Sequence, residues 1–312
     1  MKIRKAKLSD TSEILAVLKA SLGEAKLQKS ELIWDFKHSI NPFGKSMVLV
    51  GLQDKKIIGV RAFMKWHWQL NGHIWVSYRA VDTATHPQYQ GQGVFKELTL
   101  EAVEVVQQQA ETFIFNTPNE NSRPGYLKMG WEIVDRIKLS VVPSIWYKIK
   151  FIFSKKTLAV QSVDHNTIEA LCKRHNADKE LANKIFTPKS FDYLKWRYQN
   201  NPLQDYTIVS RPDCYIAMYI KKHKFFNELR VVEVLGITSK NKKEVQKIIS
   251  SFASENKCWI ITVADKNLFK IRLYGKFGPM LTFKALTNDI SFKNKAQSIT
   301  NWQYSLGDLE LF

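Results

Sequence analysis

Along the first 140 residues the apolar positions switch between a two-residue and a helical period, and the switches mark the elements. A strand is predicted at 2–6 and an amphipathic helix at 9–21, followed by strand-like runs at 47–53, 57–70 and 73–83. Asn71-Gly72 separates the last two. That dipeptide tolerates the positive φ angles of a type I′ hairpin, so these strands are expected to be antiparallel. Val94, Leu98, Leu100, Val103 and Val106 set out a helix over 93–109. A buried-type strand at 112–116, a short helix near 122–129 and a strand over 131–142 complete this half.

One switch from strand to helix falls on Thr83-Ala-Thr-His-Pro-Gln-Tyr-Gln-Gly-Gln-Gly-Val-Phe95. Gly91 and Gly93 let the backbone come close to a ligand where the helix opens. The first N–H groups of a helix lack an internal acceptor, and they lie at the positive end of its dipole. Such a place suits a pyrophosphate. A Gly-x-Gly pair alone also describes an ordinary tight turn; the strand before and the helix after give it weight.

The pattern returns in the second half. Trp34-Asp-Phe36 and Asn41-Pro42, ahead of a strand, are matched by Trp196-Arg-Tyr198 and Asn201-Pro202, at offsets of 162 and 160. Tyr126-Leu-Lys128-Met-Gly130 is matched by Tyr274-Gly-Lys276-Phe-Gly278 at an offset of 148. The shorter offset means that the second copy has lost residues in between, and what it lacks is the Gly-x-Gly loop. Its strand at 229–237 runs through Thr238-Ser-Lys-Asn-Lys-Lys243 straight into a helix at 245–253. The expected fold class is α+β: two copies of a mixed, mostly antiparallel sheet flanked by helices. The expected divisions are 1–142, a linker 143–156, and a degenerate second copy 157–312.

Composition adds limits. A length of 312 residues suits two domains. Lys and Arg number 47 against 29 Asp and Glu, a net +18 that draws anionic ligands without selecting among them. A lysine-rich surface that serves solubility accounts for the same excess. Cys172, Cys214 and Cys258 lie far apart with no Cys-x-x-Cys pair, so reduced thiols in the cytoplasm are expected, with no metal site. Neither a leader peptide nor a membrane-spanning run is expected. The stretch from Val142 to Lys156 interleaves aromatic residues with four lysines, which suits a packed strand and an anionic membrane interface alike.

The first half, from residue 2 to about 140, resembles the GCN5-related N-acetyltransferases on two motifs. Their pyrophosphate loop is written (Arg/Gln)-x-x-Gly-x-(Gly/Ala), and Gln90-Gly-Gln-Gly93-Val-Phe95 occupies it here. Phe95 stands where the last small residue is usual, as in larger tandem members. The later signature reads Asn119, Ser122, Tyr126, Lys128, Gly130 and Trp131. The second half looks like a degenerate copy.

The resemblance implies a tandem acyl-CoA N-acyltransferase fold, with acetyl-CoA or another acyl-CoA as co-substrate. It implies pantetheine contacts from Thr83, Ala84, Thr85 and Asn119, and pyrophosphate contacts from Gln90, Gly91, Gln92, Gly93, Val94 and Phe95. Tyr126 is the implied general acid, because a phenol keeps its proton at neutral pH and yields it as charge develops on sulfur. Trp34, His38 and Asn41 sit where the family binds its acceptor, although the recurrence of that block in the second half also suits a structural role. Asp35, His38, Asp82 and His86 are the candidates for a general base, and none is assigned.

An N-acetyltransferase acting on a small amine, with an amino sugar or nucleotide sugar as the expected acceptor, is the leading reading. An aminoacyl-tRNA-dependent transferase of similar tandem fold is a rival, and the intact CoA loop counts against it. A non-catalytic acyl-CoA-binding or scaffold protein is a second rival. The expected partners are a small-molecule amine, a membrane surface through 142–156 and a second copy of the chain, but not nucleic acid.

Overall fold

The computed structural model describes residues 1–23, 30–108, 112–146 and 164–309. The chain opens with β1 (Lys2–Lys5), α1 (Thr11–Leu22), α2 (Glu31–His38), β2 (Met47–Gln53), β3 (Lys56–Leu70) and β4 (His73–Thr85). Next come α3 (Val94–Gln107), β5 (Thr112–Asn116), α4 (Arg123–Lys128), β6 (Glu132–Arg136) and β7 (Leu139–Pro143). The second half begins with α5 (His165–Asn176), α6 (Lys179–Ala182), β8 (Ile185–Phe186) and α7 (Phe191–Leu194), which runs into a wider π-helical turn to Gln199. It continues through β9 (Thr207–Ser210), β10 (Tyr215–Lys222), β11 (Asn227–Leu235), α8 (Lys242–Glu255), β12 (Cys258–Val263) and β13 (Leu273–Gly275). The chain then adds β14 (Met280–Ala285), α9 (Ile290–Ala296), β15 (Trp302–Gln303) and α10 (Leu306–Leu309).

Local chemistry fixes several boundaries. Asn71 and Gly72 take φ of 52° and 78°, as the expected I′ turn requires, and β3 and β4 pair antiparallel from Leu70–His73 inward. Ser30 caps α2 by accepting from the Ile33 N–H, and Asp164 caps α5 by accepting from the Thr167 N–H.

The chain divides into two compact units, each built from two segments. One comprises Met1–Asp135 with Met280–Asn301, the other Arg136–Pro279 with Trp302–Phe312. The strand order in the first is β1-β2-β3-β4-β5-β14-β6. β14 lies antiparallel to β5, from Thr282–Asn116 to Ala285–Phe113. In the second unit the order is β13-β7-β12-β11-β10-β9, with β7 antiparallel to β12 from Ile260–Pro143 to Val263–Ser140. Each sheet thus takes an inner strand from the other half of the chain. The sequence reading had two contiguous copies meeting at a linker; instead its single strand at 131–142 becomes β6 and β7, and these serve different units. Of the stretch 142–156, which suits a packed strand and a membrane interface alike, residues 147–156 lie outside the described residues.

In the first unit α3 packs Val94, Leu98, Ala102, Val103 and Val106 onto Leu49, Ile58, Phe63 and Tyr78 of the sheet. Gly59 permits this close approach, because a Cβ there would stand 2.6 Å from Val94 Cγ1 and 2.9 Å from Leu98 Cδ1. The second unit repeats the arrangement with Val245, Ile248, Ile249 and Ala253 of α8 against Ile216, Met218, Leu229 and Val231. No helix among the described residues is long and apolar enough to cross a membrane.

Candidate active site

β4 ends at Thr85, and Pro87–Tyr89 form a short 3-10 turn before the glycines. Gly91 and Gly93 adopt φ of 78° and 85°, the left-handed region that favours glycine. Gly93 is the N-cap of α3 and carries no capping side chain. The first helical N–H bonded within the chain is that of Glu97, to the Gly93 carbonyl at 3.0 Å. The N–H groups of Val94, Phe95 and Lys96 therefore project from the helix end without an intrahelical acceptor. The Gln90 and Gln92 carboxamides brace the loop, donating to the Thr85 and Gln88 carbonyls at 3.2 and 3.3 Å.

Beside this loop the sheet opens. β4 and β5 pair in parallel only from Val76–Thr112 to Arg79–Phe115. β4 runs on to Thr85 paired with β3 alone, so Ala80–Thr85 line a wedge on their other edge. A bulge opposite Arg61 breaks the register between Val60–Ala84 and Ala62–Val81, and Asp82 there takes φ of 41°.

Tyr126 lies on α4 with 4% of its surface exposed, its ring edge-on to Phe95 and tilted against Trp131 at 5.6 and 5.2 Å. Its phenol oxygen accepts a 2.7 Å hydrogen bond from Arg61 Nη1, and the same nitrogen donates to Thr83 Oγ1. Arg61 is fully buried; its Nε and Nη2 have no hydrogen-bond partner, and no carboxylate among the described residues reaches it. Phe63, Tyr126 and Phe95 surround the guanidinium at 4.7, 5.2 and 5.9 Å. Asn119 sits at the entry to α4, where Oδ1 accepts from the Ser122 N–H and Oγ–H, both at 2.9 Å. Gly130 has φ of 85° and closes α4, with its N–H on the Leu127 carbonyl and that of Trp131 on the Tyr126 carbonyl. The Gly130-Trp131 end of the second motif is thus the stop signal of the helix that carries Tyr126.

Around Asp82 is a second polar cluster. Lys37 makes an ion pair with Asp82, and His38 reaches the same carboxylate at 3.0 Å through Nε2 while Nδ1 meets Ser46 Oγ at 2.8 Å. Burial pushes the His38 ring below the usual histidine range, offset in part by Asp82. A neutral ring then donates from Nε2 to Asp82 and accepts from Ser46 at Nδ1. Burial opposes ionisation of Asp82, but Lys37 and His38 outweigh it and hold the carboxyl far below its ordinary range. Such a carboxylate is a poor proton acceptor. Trp34 packs on His38 at 4.1 Å, and Asn41 bridges the Phe43 N–H and the Lys65 carbonyl at 3.0 and 2.8 Å. The three residues expected at the acceptor are all buried and brace the connection from α2 to β2. Asn201 repeats the turn in the second unit, accepting from the Leu203 N–H at 2.9 Å.

Arg61 and Lys37 escaped the sequence reading. Arg61 interrupts an otherwise apolar run, Ile57 to Met64, and a lone charge inside such a run was the available signal.

The second unit has a split of its own. β11 and β12 pair in parallel as far as Val231–Val263, and β11 continues to Leu235. A cavity of about 70 Å³ lies there, lined among others by His175, Lys189, Glu233, Ser305 and Asp308. Lys189 Nζ binds Glu233 at 2.7 Å and Asp308 at 2.8 Å, while Tyr198 donates to Glu233 and Tyr193 to Asp308. Burial favours the neutral amine of Lys189, but Asp308 and Glu233 prevail and raise it above the usual lysine range. At the entrance of α8 the first amide is already taken: the Lys242 N–H is bonded to the Thr238 carbonyl at 3.0 Å, and Asn241 Nδ2 donates to the Gly236 carbonyl at 2.9 Å. Among the described residues no group of three or more His, Cys, Asp or Glu side chains is placed to hold a metal ion.

Residues 2–134 match the family profile described as Acetyltransferase (GNAT) domain. The match falls on the first contiguous segment of the first unit and covers less than half of the chain. Among solved structures, a probable N-acyltransferase of unknown function from Enterococcus faecalis V583 is 12% identical, with TM-score 0.70, covering 92% of this chain and 72% of that one. A GCN5-related N-acetyltransferase from Anabaena variabilis is 13% identical, with TM-score 0.66, covering 92% and 73%. Eis1 from Mycobacterium abscessus is 11% identical, with TM-score 0.59, covering 95% and 76%. At these identities the likeness is one of fold. No curated protein matches the sequence.

Proposed function

We propose that the protein is an acyl-CoA-dependent N-acyltransferase that moves an acetyl group from acetyl-CoA to the amine of a small acceptor in the cytoplasm. The observation that carries this reading is the alignment of three features in one unit. An open helix end at Gly93, a wedge along Ala80–Thr85 and a phenol at Tyr126 lie in the order pyrophosphate, pantetheine and thiol. The N–H groups of Val94, Phe95 and Lys96 hold the diphosphate with the positive end of α3 behind them. The β4 backbone along the wedge pairs with the pantetheine arm. The acceptor nitrogen attacks the thioester carbon, the C–S bond breaks with its electron pair going to sulfur, and Tyr126 supplies the proton that makes the free thiol. The acceptor is a small amine, and the net charge of +18 favours one that is anionic, such as a phosphorylated amino sugar or a nucleotide sugar.

The test is thiol release from acetyl-CoA in the presence of amino sugars, nucleotide amino sugars, polyamines and a lysine peptide, with Tyr126→Phe alongside. Release with one amine, reduced about 10²–10⁴-fold in the variant, is the expected result. An equal rate for parent and variant removes Tyr126 from the mechanism. A thermal shift with CoA but no release with any amine leaves a CoA-binding protein.

A further inference from the structure

We infer that Arg61 is the positioning residue of Tyr126, an inference that rests on the transferase reading above. A guanidinium has only donors, so in the 2.7 Å contact the phenol oxygen must accept. The single proton of Tyr126 is thereby turned away from Arg61 and left for another acceptor. Thr83 holds the other side of the contact: it accepts from the same Nη1 and donates to the Val81 carbonyl at 3.2 Å. The bulge in β4 opposite Arg61 thus also fixes the arginine.

Charge gives the arrangement its purpose. A buried cation without a carboxylate is costly, and apolar replacements for buried charges are often neutral or stabilising. Arg61 has only aromatic faces and two oxygens around it, with Nε and Nη2 unsatisfied. Its counter-charge arises during turnover. When the C–S bond breaks and the Tyr126 proton passes to sulfur, the phenolate left behind forms beside the guanidinium. The proton that the acceptor nitrogen sheds to water returns to the phenolate and closes the cycle. Arg61 touches neither donor nor acceptor in this scheme; it orients the acid and stabilises its conjugate base.

The experiment is a double-mutant cycle with Arg61→Met and Tyr126→Phe, measured on the amine that gives the fastest thiol release. Arg61→Met alone should lower kcat about 10²-fold, as loss of a donor to a developing oxyanion does. KM for acetyl-CoA and the thermal shift with CoA should stay. Arg61→Lys, which keeps a cation, should recover part of the rate. In the Tyr126→Phe background the Arg61→Met change should cost less than about 2-fold, because residues that act as a unit are not additive. Equal losses in both backgrounds, or none in either, would overturn the inference while leaving the transferase reading intact. If Arg61→Met does not fold, the same cycle with Arg61→Lys decides. Absence of release by the parent protein would instead remove the reading on which the inference rests.

Discussion

At the scale of single residues, Gly93 decides whether α3 can receive an anion. Its φ of 85° is adverse to other residues, and its missing side chain leaves the first amides of α3 open. Gly93→Asp would add a carboxylate at the proposed diphosphate site and strain the turn by about 1 kcal/mol. The parent protein should gain about 2.7 kcal/mol of stability at a CoA concentration one hundred times its dissociation constant. The variant should show no such shift; a full shift would put the phosphate site elsewhere. His175 makes a prediction of a different kind. Burial, with Lys189 nearby, lowers its ring to about 4, from the ordinary 6.5. Between these values the unfolded chain binds a proton that the native state refuses, so stability should fall as pH drops from 6.5 towards 4. The loss has an upper limit of about 3 kcal/mol, reduced by the water that still reaches this half-buried ring. Urea midpoints across this range should be flatter for His175→Gln, and an unchanged slope would assign the acid sensitivity to other groups.

At the scale of elements, the short helix α10 is held by its charge more than by its length. Asp308 is buried between Lys189 and Tyr193 and also accepts from the Ser305 N–H at 2.9 Å. Asp308→Ala would leave Lys189 with Glu233 alone and Tyr193 without this acceptor. A broken buried pair costs about 3–5 kcal/mol, which chemical denaturation should register, with Asp308→Asn losing less. A loss below about 1 kcal/mol would mean that water replaces the carboxylate. These elements also show what the sequence makes legible. The β3–β4 hairpin, the Gly-x-Gly loop and α3 are written in local chemistry, a turn dipeptide or a helical period, and they lie where expected. Tyr274 shows the limit: it matches Tyr126 in sequence, yet it stands on the strand β13, paired with Ser140, whereas Tyr126 stands on the helix α4. Arg61, Lys37 and the Lys189 cluster were illegible for a related reason. Their meaning comes from partners 22 to 119 positions away, and spacing along the chain does not report such pairs.

At the scale of the whole molecule, the exchange of β7 and β14 decides what can be cut. A fragment ending at residue 150 contains the Gly-x-Gly loop, α3 and Tyr126, and it covers the segment that matches the acetyltransferase profile. It lacks β14, the strand that joins β5 to β6, so both would present unpaired edges. Asn116 would lose Thr282, which donates to its buried side chain at 2.5 Å, and Trp75 would lose Phe292, stacked on it at 3.7 Å. The fragment 1–150 is therefore expected to lack a cooperative melting transition and any shift with CoA. A version that joins residues 1–135 through a flexible linker to 280–301 restores β14 between β5 and β6 and should recover both. In the full chain, calorimetry should find one CoA per molecule, because no glycine pair precedes α8 and its first amide is bonded to the Thr238 carbonyl, whereas the first three amides of α3 are open. A stoichiometry of two would mean that this entrance opens to a ligand. Cooperative folding and CoA binding by 1–150 would mean that β14 is dispensable and that the first unit stands on its contiguous segment alone.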